Sequence, residues 1–202
     1  MMKNIIFDFG GVLLEWSADN FYLQYFNGNK EIMNSFYNET GILILNREFD
    51  RGVPFSNALK DLANKFPHYK EPILLWRQSW SKMLGGKING SIDILHTLHK
   101  NGYNLYGLTN WSAETFPYAY YTHDFFHLFQ DIVVSGIEKT IKPEKEIYEI
   151  CLARNNINAE DSIFIDDKLE NVIVAEILGI KGIHFIEPQQ LYNALLNLGV
   201  VL

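Results

Sequence analysis

Lys3-Asn4-Ile5-Ile6-Phe7-Asp8-Phe9-Gly10-Gly11-Val12 is a short, β-rich apolar run that carries one carboxylate and stops at two glycines. Such a run fits a buried strand ending in a tight loop, which places Asp8 at the strand's C-terminal end. Beyond Leu14 the pattern changes. Aromatic-rich, helix-like stretches continue to about Lys87, punctuated by Gly28, Gly41, Gly52 and Pro54, and we read them as a helical insertion. From Gly90 onward strand-like and helix-like periods alternate. A helix is expected at Ser91 to Lys100, with Ile92, Leu95 and Leu98 on one face and Gly102 closing it. A strand follows at Asn104 to Thr109, then a polar turn at Asn110 to Glu114, an aromatic helical stretch to about His127, and a strand at Asp131 to Ser135. Lys145 to Arg154 reads as helix, Ser162 to Asp166 as strand, Leu169 to Leu178 as helix, Gly182 to Phe185 as strand and Gln189 to Leu198 as helix.

Repeated strand-helix units predict an α/β fold built on a doubly wound parallel sheet, covered on both faces, with an inserted helical cap. The expected division is a core domain of residues 1–14 and 88–202 and a cap domain of residues 15–87. In such sheets ligands bind beyond the carboxyl ends of the strands, so polar residues at strand ends become the candidates. They are Asp8, Thr109 with Asn110, and Asp166 with Asp167, together with Lys142 in the loop after the Asp131 to Ser135 strand.

Bulk properties narrow the partners. The 202 residues are 48% hydrophobic, enough for a core of their own. Seventeen Lys and Arg against 24 Asp and Glu give a net charge of -7, so no basic stripe is available for nucleic acid or an anionic membrane. A small partner is expected, and an anionic one would require a local positive centre such as a divalent cation. The start of the chain reads as neither signal peptide nor membrane span. The single cysteine, Cys151, shares a helical face with Ile147 and Ile150 and reads as core; it fits a reducing compartment, and cytoplasm is the expected location. His123 and His127 flank Asp124 without a general-base motif and are assigned no chemistry.

Asp8 in Phe-Asp-Phe-Gly-Gly-Val, Thr109 in Leu-Thr-Asn, Lys142 in Ile-Lys-Pro-Glu and Asp166-Asp167 in Phe-Ile-Asp-Asp together resemble the four ordered motifs of the haloacid dehalogenase-like superfamily. The resemblance covers nearly the whole chain. It implies a Mg²⁺-dependent hydrolase, with a phosphate monoester as substrate and Asp8 as the nucleophile that becomes an aspartyl phosphate. Asp8, the backbone carbonyl of Gly10, Asp166 and Asp167 would hold Mg²⁺, with Asp167 the direct ligand. Lys142 would supply a positive charge, Thr109 a hydroxyl, and Asn110 a backbone or side-chain N–H to the phosphoryl oxygens.

One departure matters. The phosphatase branch usually carries a second Asp two residues after the nucleophile to protonate the leaving oxygen, and here Gly10 stands there. That acid-base function, typically worth about 10²- to 10⁴-fold, is missing or supplied elsewhere. True 2-haloacid dehalogenases also lack that Asp, but they lack the acidic pair too; a 2-haloacid dehalogenase is the alternative reading, and a catalytically weak binding protein of the same fold is the third. Among charged cap residues, Glu15, Arg47, Glu48, Asp50, Arg51 and Arg77 could face the site, with solvated surface as the default for each. The aromatics Trp16, Phe21, Tyr22, Tyr25, Phe26, Trp76 and Trp80 are expected mainly to form the cap core, with one or two of them as candidates to line the substrate pocket.

Overall fold

The computed structural model describes residues 3–202; Met1 and Met2, at the head of the expected core segment, lie outside the described residues. In chain order the elements begin with β1 (Asn4–Phe7), β2 (Leu14–Trp16), α1 (Asp19–Tyr25), α2 (Lys30–Thr40), α3 (Ile42–Asp50), α4 (Phe55–Lys65), α5 (Lys70–Gln78) and β3 (Leu84–Lys87). They continue with α6 (Asn89–Lys100), β4 (Asn104–Thr109), α7 (Phe116–Thr122), β5 (Asp131–Val134), α8 (Ser135–Glu138) and α9 (Lys145–Asn155). The chain finishes with β6 (Ser162–Asp166), α10 (Leu169–Ile177), β7 (Lys181–His184) and α11 (Pro188–Asn197).

Five strands form one parallel sheet in the order β5-β4-β1-β6-β7. All four residues of β1 and all five of β6 are buried, as expected of strands covered on both faces. In register, Ile5 lies beside Leu105 and Ile163, and Phe7 beside Gly107 and Ile165. From β1 the chain builds outward through β4 to β5, then crosses back to place β6 on the other side of β1. The topological switch point therefore lies between β1 and β6, where a crevice opens beyond the strand ends. The strand-end residues Asp8 and Asp166 come from these two strands.

The five helices between β2 and β3 pack around aromatic rings. Tyr22 stacks on Trp76 at 5.5 Å, meets Phe36 at 5.0 Å, and donates its hydroxyl to the Pro72 carbonyl at 2.7 Å. Phe49 stacks on Phe55 at 4.0 Å. Asn29 caps α2 by accepting from the Ile32 N–H at 3.0 Å, and Gly41 ends that helix in the left-handed region.

The structure differs from the sequence reading at the edges of this segment. The stretch read as helical to Lys87 starts and ends in strands, β2 and β3, which pair antiparallel with Leu14 beside Lys87 and Trp16 beside Leu84. At three and four residues they are too short to declare a period of two, and Gly85-Gly86 hides the second. The aromatic stretch before His127 also divides, into α7 and a 3₁₀ turn over Asp124–Leu128, and the strand read to Ser135 gives way there to the one-turn α8.

Candidate active site

Asp8 follows the central strand directly. Its N–H donates to the Ile165 carbonyl at 2.9 Å, so the nucleophile candidate is still tied to β6. Phe9, on the next position, is buried in a ring cluster, 4.9 Å from Phe126 and 5.1 Å from Phe129, against the bare face of Gly107. The Phe9 carbonyl then accepts from the N–H groups of Leu13 and Leu14, which closes the turn. Gly11 has φ of +75° in this turn, and a Cβ there would sit 2.5 Å from Asp167 Oδ2. Only glycine satisfies both the backbone and this approach. Gly10 is different: its φ is not positive, and a Cβ there would meet nothing within 4 Å.

Lys142 is fully buried, and its ammonium is shared among three acceptors: Leu108 O at 2.7 Å, Asp166 Oδ2 at 2.7 Å and Asp8 Oδ1 at 2.9 Å. Asp8 Oδ1 also accepts from the Phe9 N–H at 2.7 Å, which leaves Oδ2 for a ligand. Asp166 is completely buried. Its Oδ1 accepts from the Lys168 N–H at 2.8 Å, and Asn171 Nδ2 donates to both of its oxygens at 2.9 and 3.0 Å. Both Asp166 oxygens thus have partners, whereas Asp167 is half-buried and lines the cavity. Asn110 clamps the lysine from the side: its Nδ2 donates to the Lys142 carbonyl at 2.9 Å and its Oδ1 accepts from the Lys142 N–H at 2.8 Å. The side-chain amide of Asn110 is thus committed to the Lys142 backbone, which makes its backbone N–H the freer donor toward the cavity. Thr109 is buried at the end of β4, and its hydroxyl has no hydrogen-bond partner among the described residues.

The electrostatics follow from this crowding. Burial pushes the Asp8 carboxyl up, Lys142 pulls it back, and the charges of Asp166 and Asp167 push it up again. Lys142 is disfavoured as a cation by burial, but Asp166 and Asp8 more than offset that and hold it protonated. Asp167 is also raised, by burial and then by Asp166, against Lys168 and Lys142. Three carboxylates thus face one buried ammonium, with one oxygen from each of Asp8, Asp166 and Asp167 within 4.8 Å of one another. Hard oxygen donors carrying surplus negative charge fit Mg²⁺, and a bound dication would reverse the upward pressure on the Asp8 and Asp167 carboxyls.

These groups open onto a cavity of about 430 Å³ that Asp8, Gly10, Asn110, Lys142 and Asp167 line from the sheet edge. Thr109 and Asp166 are buried at the ends of β4 and β6 beside it. The segment between β2 and β3 contributes Asn46, Arg47 and Asp50 from α3, with Leu43 beside them. Trp16 and Trp80 complete that side, and Trp80 packs 5.3 Å from Trp111 of the loop after β4. Two of the charged residues expected as candidates serve elsewhere. Arg51 makes paired bonds of 2.9 and 2.7 Å to Glu144, and Arg77 reaches Glu114 at 2.9 Å, both partners belonging to loops around the sheet. Glu48 lies beside Arg51 at 3.9 Å on the surface. Sequence reasoning missed Asn171 and Ser135. The only signal for Asn171 was one amide in the first turn of a largely apolar α10.

Comparison with known proteins adds the family context. The family described as haloacid dehalogenase-like hydrolase matches residues 5–185. The sesquiterpene phosphatase astK of Aspergillus oryzae is 38% identical over 92 residues, covering 46% of this chain and 47% of that protein. The chain thus spans about half the length of that relative. The D-ribitol-5-phosphate phosphatase of Bacteroides thetaiotaomicron is 24% identical over 199 residues, covering 89% of each. Among solved structures, a HAD family enzyme of Bacteroides thetaiotaomicron, in complex with magnesium and inorganic phosphate, superposes with a TM-score of 0.70 at 20% identity, covering 93% of this chain and 95% of the other.

Proposed function

The chain belongs to the haloacid dehalogenase-like hydrolases, and from that premise we propose that it is a Mg²⁺-dependent phosphomonoesterase acting through an aspartyl phosphate on Asp8. The observation that carries this reading is the excess of three converging carboxylates over one buried lysine at the mouth of a cavity. A dehalogenase needs no such metal-fitting set. The phosphatase relatives point the same way, toward a small phosphate ester as substrate.

In this reading residues 1–14 and 88–202 are the catalytic core and residues 15–87 the cap that closes over it. Asp8 attacks phosphorus through Oδ2 while the Phe9 N–H and Lys142 fix Oδ1 and so the direction of attack. Asp167, Asp8 and the Gly10 carbonyl would hold Mg²⁺, which would supply positive charge to screen the approach of a phosphate to a carboxylate and to polarise the phosphoryl oxygens. Asp166 keeps Lys142 charged and in place, with Asn171 and the Lys168 N–H satisfying its remaining capacity. The Asn110 backbone N–H and the Thr109 hydroxyl donate to phosphoryl oxygens. The single, buried Cys151 fits a reducing compartment, in keeping with a cytoplasmic enzyme; among the described residues no helix is long and apolar enough to cross a membrane.

The test is phosphate release from 4-nitrophenyl phosphate. It is expected to require Mg²⁺ and to stop when EDTA is added. Chelator-resistant chloride release from 2-chloropropionate, with no phosphatase activity, would replace this reading with the dehalogenase one.

A further inference from the structure

We propose that Asp50, carried into the site by α3, is the general acid and base of the reaction, doing from the cap what no side chain at Gly10 can do. The proposal rests on the phosphomonoesterase reading. Asp50 lines the same cavity as Asp8, Gly10 and Asp167, although it lies 42 positions from the nucleophile in the chain.

Its position is set by the core rather than by the cap alone. The Asp50 carbonyl accepts from Ser135 Oγ, and that hydroxyl in turn accepts from the Trp111 N–H at 2.8 Å. The carboxyl accepts from Asn46 Nδ2 at 3.1 Å. Immediately after it, Arg51 is anchored to Glu144, and Gly52 turns with φ of +97°, so close to the Gly136 carbonyl that a Cβ would fall 2.7 Å from that oxygen. Three contacts with α8 and the segment that follows it therefore fix the backbone that carries this carboxyl at the cavity wall. A site residue held this way is preorganised, as acid-base transfer requires.

Its protonation state suits the task. Burial, reinforced by the Asp8 charge, pushes the Asp50 carboxyl up to about 8, against Lys168, the Ser112 N–H and Arg47, which pull it down. A carboxyl in that range carries its proton at neutral pH and can donate it. The other carboxylates nearby are placed differently. Glu48 is a surface partner of Arg51, and Glu170 is exposed at the cavity wall.

The steps balance. As Asp8 bonds to phosphorus and the ester P–O bond breaks, Asp50 passes its proton to the departing oxygen, giving the alcohol, phospho-Asp8 and an Asp50 carboxylate. A water then attacks phosphorus while Asp50 takes its proton. Inorganic phosphate leaves, and the Asp8 carboxylate and the Asp50 acid are restored.

The experiment measures kcat/KM for 4-nitrophenyl, phenyl and simple alkyl phosphates with saturating Mg²⁺. Three proteins are compared: wild type, Asp50→Asn, and Asp50→Asn combined with Gly10→Asp. Asp50→Asn is expected to cost about 10²- to 10⁴-fold on alkyl phosphates, where the leaving oxygen needs a proton, and less than about tenfold on 4-nitrophenyl phosphate. Adding Gly10→Asp, whose side chain enters open space, should recover at least about tenfold of the alkyl loss. Equal losses on all three esters, or none, would overturn the assignment, since a residue that only docks the cap lowers every rate alike. If circular dichroism shows Asp50→Asn unfolded, the wild-type pH profile decides: kcat/KM for alkyl phosphates should fall above about pH 8, more steeply than for 4-nitrophenyl phosphate, and an alkyl profile with no basic limb overturns the proposal. A wild type that hydrolyses none of the esters with Mg²⁺ removes the phosphatase reading, and this proposal with it; wild-type turnover without an Asp50 effect removes only the latter.

Discussion

Replacing Lys142 with Met should destabilise the fold in a pH-dependent way, because the change deletes the positive charge that bridges Asp8 and Asp166 while keeping most of the buried volume. With oxygens of these two carboxylates within 4.8 Å of one another, two unit charges at an effective dielectric of about 20 repel by roughly 3.5 kcal/mol. Removal of one partner from a buried ion pair typically costs about 3–5 kcal/mol, and the lost hydrogen bond to the Leu108 carbonyl acts in the same direction. We expect a deficit in that range from urea unfolding at pH 8 without metal. The sign of the pH effect is fixed. Burial and the neighbouring carboxylates hold the Asp8 carboxyl above the ordinary carboxylate range against the pull of Lys142, and losing the ammonium removes that pull, so the penalty is largest at high pH, where Asp8 must ionise. It shrinks as pH falls through the raised value toward about 4, where the unfolded chain binds the same proton. Unfolding curves at pH 8 and pH 5 therefore check both size and direction. A deficit below about 1 kcal/mol at pH 8, or one equal at the two pH values, would refute the view that Lys142 holds two ionised carboxylates together.

Three further outcomes are expected. Asp8→Asn should lower turnover by at least about a thousandfold while leaving the thermal midpoint close to wild type or above it, since a nucleophile cannot be replaced by an amide; retention of a tenth of the wild-type rate would remove the covalent role. Gly11→Ala, at φ of +75° and with Asp167 Oδ2 in the way of its Cβ, should raise the Mg²⁺ concentration for half-maximal activity by about tenfold or more, because strain at a left-handed position costs about 1–2 kcal/mol and Asp167 must move. An unchanged Mg²⁺ titration would show that this contact does not shape the metal site. Cys151 is buried and its thiol is pushed up to about 12, so the native protein should resist iodoacetamide at pH 8 and react only when unfolded; rapid native labelling would contradict the core assignment.

The doubly wound sheet was legible because its strands are short apolar runs interrupted at their C-terminal ends by polar side chains. Asp8, Thr109 and Asp166 stand out against Ile-Ile-Phe, Tyr-Gly-Leu and Ile-Phe-Ile in this way. Helix α6 was legible for a different reason, since Ile92, Leu95 and Leu98 recur at helical spacing and all three are buried. The β2-β3 ribbon was not, because pairing between residues 14 and 87 depends on contact across about seventy intervening positions and leaves no local period. Within the site, residue types were readable but hydrogen-bond partners were not. Nothing at Asn110 announces that its amide will grip the Lys142 backbone, and the acidic pair alone does not say that Asp166 faces inward to Lys142 while Asp167 faces the cavity. The six charged cap residues looked alike in sequence. Folding separates them, sending Arg51 and Arg77 into ion pairs with Glu144 and Glu114 and turning Arg47 and Asp50 toward the cavity.

The indole pair at the cavity wall has a practical consequence. Three of the chain's four tryptophans, Trp16, Trp80 and Trp111, line the space where a substrate would sit, and Trp80 and Trp111 lie 5.3 Å apart on segments 31 positions distant in the chain. One of those segments runs back from the helical insertion and the other leaves the sheet. Any displacement of one relative to the other changes the coupling between two strong ultraviolet chromophores. The unlabelled protein thus carries its own optical gauge: emission intensity and near-ultraviolet dichroism should register ligand arrival and cap movement in a stopped-flow trace, with Trp76, sealed among the cap rings, providing a steady background against which the change is read.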